Sequence, residues 1–276
     1  MKTQSPREVK APASPAGARL EGGARVCYVQ DAMRLAGKVA LVTGGAVRVG
    51  RAISLALARE GAHVVVHHHR SGREARALAL DIRRLGVEAL PLRADLARPA
   101  EVAAMVRAAF RAFPAIDVLV NNAAIFPRTP LLEITPTVWD RVLAVNLRGP
   151  FLCAQAVARR MLRAGTGKII NIADVGGARA WPAYIPYCVS KAGLIMLTQG
   201  LAVALAPHVQ VNAVAPGPVL FPEEYPDRLR RKVRATIPMR REGAPEDVAA
   251  AVVFFATAPA YLTGQTLFVD GGLTAR

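Results

Sequence analysis

The 276-residue sequence has little cysteine, few aromatic residues and fewer acidic than basic residues. Its three cysteines, Cys27, Cys153 and Cys188, include no Cys-x-x-Cys pair, and an odd number cannot form a complete disulfide framework. Such usage is typical of a reducing compartment. The N-terminus has no apolar segment of the kind found in a secretory signal, and no apolar run reaches the roughly 18 residues of a membrane span. These absences predict a cytoplasmic protein without a membrane partner.

Acidic residues are scarce relative to lysine and arginine, 20 against 36, which gives a formal net charge of +16. The basic residues are spread along predicted amphipathic helices, and such a dispersed positive surface attracts anions in general. The sequence has no zinc-ligand spacing, no RNA-binding aromatic stretch and no helix-turn-helix pattern. We therefore expect no specific nucleic-acid partner. A non-catalytic basic protein that binds nucleotides or nucleic acids is the alternative from another class.

Short β-branched segments alternate with longer amphipathic segments from residue 37 onward. The predicted strands are 39–43, 63–67, 88–92, 118–121, 168–172, 209–214 and 267–270. Continuous apolar strands separated by helices indicate a parallel sheet that is covered on both faces. The predicted fold class is α/β, a single doubly wound Rossmann-type sheet of about seven strands with helices on both faces. In such folds, ligands bind at the carboxyl ends of the strands.

The first 34 residues differ in composition from the rest of the chain. They are rich in proline, alanine, glycine and charged residues, which predicts a disordered N-terminal extension over residues 1–34. Residues 35–276 contain neither a linker-like break nor a repeat. They are therefore predicted to form one domain.

A glycine-rich turn follows the first predicted strand in the sequence TGGAVRVG, residues 43–50. Thr43, Gly44 and Gly45 come directly after the strand, and Gly50 opens the first helix. Backbone amides and the positive end of a helix meet at such a turn, where they bind the pyrophosphate of a dinucleotide. Arg48 stands where a third glycine would be expected, so a long cation occupies the middle of a turn that admits a ligand.

The end of the second predicted strand indicates which dinucleotide is bound. An NAD-binding unit usually carries an acidic residue there to hold the ribose hydroxyls, and the sequence HHHRSG, residues 67–72, has none. Arg70 can pair with a 2′-phosphate, while His69 and Ser71 can donate hydrogen bonds to it. We therefore expect NADPH as the cofactor.

Other interpretations of this strand end stay open. Arg70 could be an idle surface residue, and one or more of the histidines could be half-buried structural residues. A metal site is not expected, because consecutive strand residues face opposite sides and no carboxylate lies nearby in the sequence.

The sequence YCVSK, Tyr187 to Lys191, lies at the start of a predicted long helix over residues 185–205. A spacing of four residues places the phenol and the ammonium group on one helix face. Tyrosine is a poor acid at neutral pH because its ordinary pKa is about 10, and a neighbouring ammonium group lowers that pKa. We therefore expect Lys191 to lower the pKa of Tyr187, whose hydroxyl would take part in proton transfer.

From about residue 37 to residue 272, the chain resembles the short-chain dehydrogenase/reductase family. The motifs that carry the resemblance appear in the family's order: Thr43-Gly44-Gly45 with Gly50, Ala94-Asp95-Leu96, Asn121-Asn122-Ala123, Asn146, Tyr187 with Lys191, Pro216-Gly217 and Asp270-Gly271-Gly272. The resemblance implies a cofactor site that comprises Thr43, Gly44, Arg48, Val49, Gly50, Asp95, Leu96, Asn122, Ala123, Tyr187, Lys191, Pro216 and Gly217, in addition to His69, Arg70 and Ser71.

The resemblance also implies individual roles and an assembly. Asp95 would contact the adenine side of the cofactor, Asn146 would hold a proton-relay water, and Pro216-Gly217 would flank the nicotinamide. Lys191 would bind the nicotinamide ribose as well as tune Tyr187. The family resemblance implies a homotetramer.

Two departures from the usual family pattern resemble the pteridine reductase branch. Arg48 replaces a glycine, and Asp174 replaces the serine that usually lies thirteen residues before the catalytic tyrosine. The HHHRS sequence and Phe126 add to this resemblance, although Ala124 stands where a serine is often found. In that branch Arg48 would lie near the cofactor phosphate and the pterin. Phe126 would stack the pterin against the nicotinamide, and Asp174 would join the tyrosine in proton delivery.

The sequence therefore predicts an NADPH-dependent reductase that transfers hydride to a pterin-like, dihydropteridine substrate. The expected catalytic residues are Tyr187, Lys191, Asp174 and Asn146, and the expected substrate contacts are Arg48, Phe126, Asp174 and Tyr187. The nearest alternative is an NADPH-dependent carbonyl reductase, for instance of 3-oxoacyl thioesters. Structural roles also stay open for three of these residues: Asp174 as a cap of local amides, Arg48 as a helix-surface residue and Phe126 as part of the core.

Overall fold

Seven parallel strands form the centre of the fold. A computed structural model describes residues 34–221 and 225–275. Its strands are β1 (Val39–Val42), β2 (His63–His68), β3 (Ala89–Arg93), β4 (Val118–Asn121), β5 (Gly167–Ile172), β6 (Val209–Pro216) and β7 (Thr266–Val269). Neighbouring strands follow the order β3-β2-β1-β4-β5-β6-β7, and all of these pairings are parallel. The order reverses between β1 and β4, and ligands bind at the carboxyl ends of strands beside such a reversal.

Helices cover both faces of the sheet, which is why the central strands are apolar throughout. The helices are α1 (Arg48–Arg59), α2 (Gly72–Arg84), α3 (Pro99–Ala112), α4 (Pro136–Leu143), α5 (Gly149–Ala164), α6 (Ile185–Leu205), α7 (Asp227–Thr236) and α8 (Pro245–Thr257). One buried apolar cluster joins the sheet to α1, α2 and α8, and a second joins it to α3, α5 and α6. The α/β prediction of a doubly wound sheet with helices on both faces is confirmed.

The predicted strands are confirmed, and their ends differ from the prediction by at most two residues. The strand β2 runs one residue further than predicted because His68 pairs with Arg93 of β3. The strand β6 runs two residues further, to Pro216, which pairs with Val269 of β7. These extensions place His69 and Gly217 directly after the strands, at the same edge of the sheet.

Among the described residues, the helix α6 is long and apolar enough, by length and composition, to cross a membrane. Lys191 interrupts its apolar sequence, so the helix does not contradict the prediction that no apolar run reaches the length of a membrane span. In the structure it packs against the sheet and buries Lys191 and Thr198 inside the protein. The core helices of globular proteins pass the same test of length and composition, and α6 carries the Tyr187–Lys191 pair to the edge of the sheet.

Two of the three cysteines lie in the part of the chain that the structure describes. Cys153 and Cys188 are buried free thiols. Cys27 and all but the last residue of the predicted disordered extension lie outside the described residues.

Candidate functional site

The turn after β1 depends on glycine at two positions. Gly44 has a φ of +60°, and a Cβ atom on Gly50 would lie 2.0 Å from the Gly44 carbonyl oxygen. Thr43 Oγ1 accepts hydrogen bonds from the amides of Asn122 at 2.9 Å and Ala123 at 3.1 Å, which fixes the turn to the end of β4. The turn thus brings the N-terminus of α1, which begins at Arg48, beside the end of β4, and a helix N-terminus suits a pyrophosphate.

A buried histidine supports this turn. The Gly44 amide donates to His67 Nδ1 at 3.0 Å, so His67 Nε2 carries the proton and donates to the Ala94 carbonyl at 3.1 Å. Burial lowers the pKa of His67 to about 4, so the ring is neutral at pH 7. His67 therefore has the structural role predicted for at least one of the three histidines, but it is buried rather than half-buried.

Acid should destabilise the folded protein through His67. Its pKa of about 4 in the folded state lies below the ordinary 6.5, so the unfolded chain binds this proton more readily between those two values. The contribution to the free energy of unfolding is complete above about pH 6.5 and falls with the pH, by about 3 kcal/mol in total below about pH 4. Urea unfolding of the wild type and His67→Gln across this range measures the effect.

The variant should show a lower free energy of unfolding at neutral pH and a shallower decline in acid. His208→Gln, at an exposed position, is the matched control and should keep the wild-type decline. The same pH dependence in the wild type and His67→Gln would contradict the assignment.

The residues after β2 lie at the carboxyl edge of the sheet. Arg70 is exposed, and His69 Nε2 lies 4.0 Å from Asp95 Oδ2. Asp95 accepts hydrogen bonds from Arg141 Nη1 and from the Ala97 amide, both at 3.0 Å. Burial opposes ionisation of Asp95, but these hydrogen bonds outweigh it and lower its pKa. The only carboxylate placed near His69 by the described contacts is therefore already paired with an arginine.

Asp174 and Tyr187 form a direct hydrogen-bonded pair. The Tyr187 hydroxyl donates to Asp174 Oδ2 at 2.8 Å, and the Gly176 amide donates to Oδ1 at 2.7 Å. Asp174 follows β5 and Tyr187 lies in the first turn of α6, so the sheet and the helix converge here. Burial raises the pKa of Asp174, and burial together with Asp174 raises the pKa of Tyr187 well above its ordinary value. Asp174 does cap a local amide, and it does so while it contacts the phenol.

The expectation that Lys191 lowers the pKa of Tyr187 is wrong in this arrangement. Lys191 Nζ donates to the Ile172 carbonyl at 2.7 Å and lies 5.6 Å from the centre of the Tyr187 ring. Asp174 is closer to the phenol oxygen and has the opposite effect on its pKa. Burial lowers the pKa of Lys191 itself to about 8, so the amine is mostly protonated at pH 7.

Asn146 lies in a π-helical turn, Ala144–Arg148, between α4 and α5. Its Oδ1 accepts from the Ile125 amide and its Nδ2 donates to the Ile125 carbonyl, both at 2.9 Å. Single π-helical turns occur frequently at functional sites. The side chain thus positions the backbone beside Phe126, and the relay-water role of Asn146 stays a prediction.

A cavity of about 820 Å³ opens beside the Asp174–Tyr187 pair. Six of the chain's 15 aromatic residues line it: Phe126, Trp181, Tyr184, Tyr187, Phe221 and Tyr225. Phe126 is 39% exposed, so a core role for it is excluded. The Phe126 and Tyr184 rings are stacked, with centroids 4.3 Å apart and planes within 2°. The cavity therefore has a flat aromatic wall beside a carboxylate and a phenol.

Further predicted residues line the same cavity: Arg48, Val49, Asn122, Lys191, Pro216 and Gly217. They bring together the start of α1 after the glycine turn, the helix α6 and the ends of β4 and β6. Arg48 has a φ of +52°, in the region that favours glycine, which gives a physical reason for the glycine in the usual family pattern. His69, Arg70, Ser71, Asp95 and Leu96 do not line this cavity and lie towards β2 and β3.

Sequence reasoning missed four aromatic residues of the cavity: Trp181, Tyr184, Phe221 and Tyr225. A signal was present, because the sequence AWPAYIPY, residues 180–187, concentrates three aromatic residues in a chain that has few. The sequence does not show which segment these aromatic residues face. In the structure the Thr129 amide donates to the Ala183 carbonyl at 2.7 Å, and this hydrogen bond joins the loop after Phe126 to the segment that carries Trp181 and Tyr184.

Comparisons with known proteins agree with this geometry. A family model described as enoyl-(acyl carrier protein) reductase matches residues 45–274. A 3-oxoacyl-(acyl-carrier-protein) reductase of Synechocystis is 42% identical over 243 residues, which cover 87% of this chain and 98% of the relative. A structure described as a short-chain alcohol dehydrogenase of Sinorhizobium meliloti has a TM-score of 0.84 and 34% identity, and the match covers 88% of this chain and 99% of that one. The chain belongs to the short-chain dehydrogenase/reductase family.

As a short-chain dehydrogenase/reductase, the protein is an oxidoreductase, which confirms that part of the prediction. A gluconate 5-dehydrogenase of Burkholderia cenocepacia, solved with NADP and tartrate, has a TM-score of 0.83 and 37% identity, and the match covers 89% and 98% of the two chains. None of these three relatives is a pteridine reductase, so they do not support the branch that the motifs resemble. The Synechocystis relative instead has the activity of the alternative, a 3-oxoacyl-thioester reductase.

Proposed function

We propose that this short-chain dehydrogenase/reductase is an NADPH-dependent reductase of a planar nitrogen heterocycle of the dihydropteridine class. The Asp174–Tyr187 pair, 2.8 Å apart beside the aromatic wall, carries the proposal. A ketone reductase needs a hydrogen-bond donor where the oxyanion develops, and an ionised carboxylate is only an acceptor. A carboxylate can instead accept hydrogen bonds from the amino and ring N–H groups of a pterin.

The residues of the glycine turn fit the phosphates of a dinucleotide. The close approach of Gly50 to the Gly44 carbonyl leaves a tight turn directly before the N-terminus of α1, and the first amides of a helix suit a pyrophosphate. We assign the 2′-phosphate to Arg70, with His69 and Ser71, because Asp95 is occupied by Arg141. The NADP bound to the Burkholderia relative supports this choice. NADPH, when bound, supplies the hydride.

The proton comes from the chain's own residues in this proposal. The Tyr187 hydroxyl is protonated at neutral pH because burial and Asp174 raise its pKa, so it can donate to a ring nitrogen of the substrate. Burial raises the pKa of Asp174, so the carboxylate, which lies 2.8 Å from the phenol oxygen, can take up a proton from solvent and pass it to the phenolate after Tyr187 has donated its own. The Lys191 ammonium group offsets the negative charge of the pair.

Arg70→Ala should impair the use of NADPH far more than the use of NADH. Charge-assisted hydrogen bonds to a phosphate contribute about 2–3 kcal/mol, so the KM for NADPH should rise about 30- to 150-fold. The KM for NADH, which has no 2′-phosphate, should change by less than about threefold, since it lacks the group that forms this pair. Steady-state kinetics with both cofactors measures the two values.

Arg73→Ala is the matched control, because Arg73 lies in the first turn of α2 with a side chain that is 91% exposed. It should leave both KM values near those of the wild type. An equal rise for NADPH and NADH in Arg70→Ala would exclude the 2′-phosphate role.

A substrate panel with NADPH consumption as the readout tests the proposed reaction. Dihydrobiopterin and dihydromonapterin should be reduced with a kcat/KM at least about 100-fold above that of acetoacetyl thioesters, because two or more hydrogen bonds to Asp174 distinguish them. Turnover of the thioesters without turnover of the pterins would overturn the proposal.

The second candidate function is the NADPH-dependent reduction of 3-oxoacyl thioesters. The 42% identity to the Synechocystis enzyme favours it. In this reaction Tyr187 would protonate the oxyanion and Asp174 would stand where a serine usually donates.

We also propose that the protein assembles as a homotetramer in the cytoplasm. A groove on α4, α5 and α6 exposes apolar side chains, among them Phe151 at 38% and Met196 at 65%. A second copy of the chain would cover such a surface. Sedimentation at four times the chain mass of 29.3 kDa is the expected result.

A further inference from the structure

We infer that Arg48 is a positioning residue that ties residues 217–221, here called the β6 loop, to the glycine turn. Through this tie, a phosphate bound at the turn would order the substrate side of the cavity. The inference rests on the proposed NADPH site, because that site brings the phosphate to the turn. The inference goes beyond that site because it links cofactor binding at the glycine turn to substrate binding at the aromatic wall.

The backbone of Arg48 is the first observation. Its φ of +52° is uncommon for a residue with a side chain, and glycine would adopt it without strain. The side chain at this position is not idle, since Nη2 donates to the Leu220 carbonyl at 3.2 Å. Arg48 therefore joins two segments that are 172 residues apart in the sequence and that both line the cavity.

The β6 loop connects in turn to the aromatic wall. Phe221 stacks on Tyr225 with ring centroids 6.1 Å apart, and the hydroxyl oxygens of Tyr225 and Tyr184 are 3.1 Å apart. Tyr184 stacks on Phe126, the ring that we assign to the substrate. A continuous set of contacts thus runs from the glycine turn, through Arg48 and the β6 loop, to the substrate wall.

The opposite end of the loop is fixed independently of Arg48. The Gly217 amide donates to the Val269 carbonyl at 3.0 Å, within the extended pairing of β6 and β7. The Leu220 end lies three residues further on, and its carbonyl is held by an arginine that is itself exposed. Val219 is buried in the core, so the part of the loop whose order should depend on how firmly the guanidinium group is held begins at Leu220.

A guanidinium group has five N–H donors, and the contact with Leu220 uses one of its nitrogens. Arg48 is also the first residue of α1, beside the amides that would meet the pyrophosphate. An anion there forms charge-assisted hydrogen bonds that restrict the guanidinium group and, with it, the Leu220 carbonyl. Because such coupling is reciprocal, an ordered β6 loop also strengthens cofactor binding.

Hydrogen–deuterium exchange with NADP⁺ alone as the probe tests the inference without knowledge of the substrate. Exchange is followed in the glycine turn, residues 43–47, and in residues 219–221. In the wild type, NADP⁺ should slow exchange in both segments, by about fivefold or more in residues 219–221, since ordering of a loop suppresses its local opening. Arg48→Gly places a residue that adopts the positive φ without strain. In this variant NADP⁺ should still slow exchange in the glycine turn but should not slow exchange in residues 219–221.

Two further variants separate the charge from its geometry. Arg48→Lys keeps the charge but not the planar fork, and should lose most of the protection at residues 219–221. Arg51→Ala removes a positive charge from the same helix, where Arg51 pairs with Asp81, and should behave as the wild type.

Three results would overturn the inference. NADP⁺ could protect the turn but leave residues 219–221 unchanged in the wild type. It could protect residues 219–221 equally in the wild type and Arg48→Gly. Both outcomes would leave the proposed NADPH site intact. Absence of protection at the glycine turn in every variant would remove the NADPH site and the inference together.

Discussion

Tyr187→Phe should lower kcat by about 10³-fold or more, because removal of a positioned general acid costs about 10²- to 10⁴-fold and no other hydroxyl touches Asp174 among the described contacts. The dissociation constant for NADPH should stay within about threefold of the wild type, since the phosphate-binding residues are unaltered. Phenylalanine keeps the ring that packs against Phe126, at 4.6 Å between centroids, so the cavity should keep its shape. Single-turnover kinetics and NADPH fluorescence titration measure the two quantities.

Tyr184→Phe is the matched control for this experiment. It removes a hydroxyl from the same wall, one that contacts Tyr225 and not Asp174, and should leave kcat within about fivefold because no proton passes through it. Turnover by Tyr187→Phe within tenfold of the wild type would exclude the phenol as the proton donor. If the protein were instead a non-catalytic nucleotide-binding protein, the wild type would not consume NADPH, and neither substitution would change that.

Asp174→Ser should exchange one specificity for another. It introduces a hydrogen-bond donor where an oxyanion would develop and removes the acceptor of the pterin edge. We expect kcat/KM for dihydrobiopterin to fall about 10²- to 10³-fold, and that for acetoacetyl thioesters to rise or stay unchanged, because loss of a buried charged partner costs several kcal/mol. Both ratios come from parallel steady-state assays.

Asp174→Asn separates charge from shape in the same position. Asparagine can still accept from the Gly176 amide, so the local backbone should hold, but it cannot carry the negative charge that raises the pKa of Tyr187. Because both Asp174→Ser and Asp174→Asn remove this charge, the pKa of Tyr187 should fall in each of them. Unchanged discrimination between pterin and thioester in Asp174→Ser would show that residue 174 does not select the substrate.

Much of the fold follows from local sequence. The alternation of β-branched and amphipathic segments predicted the seven strands because a parallel sheet buried on both faces requires continuous apolar strands. The ends of β2 and β6 differed because cross-strand pairing, at His68 with Arg93 and Pro216 with Val269, extends a strand beyond its apolar core. Pairing with the adjacent strand depends on the tertiary structure, so the composition of a segment does not predict where its strand ends.

The candidate site was predictable where its residues follow a local spacing. The four-residue spacing of Tyr187 and Lys191 does place both on the inner side of α6. The error concerned the pKa of the phenol, because its hydrogen-bond partner comes from the end of β5 rather than from the same helix. The contact of Arg48 with Leu220 and the joining of the Phe126 and Tyr184 loops are long-range in the same sense, and no spacing rule reports them.

The imidazole behind the glycine turn limits how this enzyme can be re-engineered. A change of coenzyme from NADPH to NADH would require an acidic residue at position 70. That position lies three residues after His67, just beyond the end of β2. That ring accepts from Gly44 and donates to Ala94, so it connects the loops that follow β1 and β3. A redesign that rotates this strand end would move both loops together, and preserving the orientation of residue 67 is therefore the first requirement of any such change.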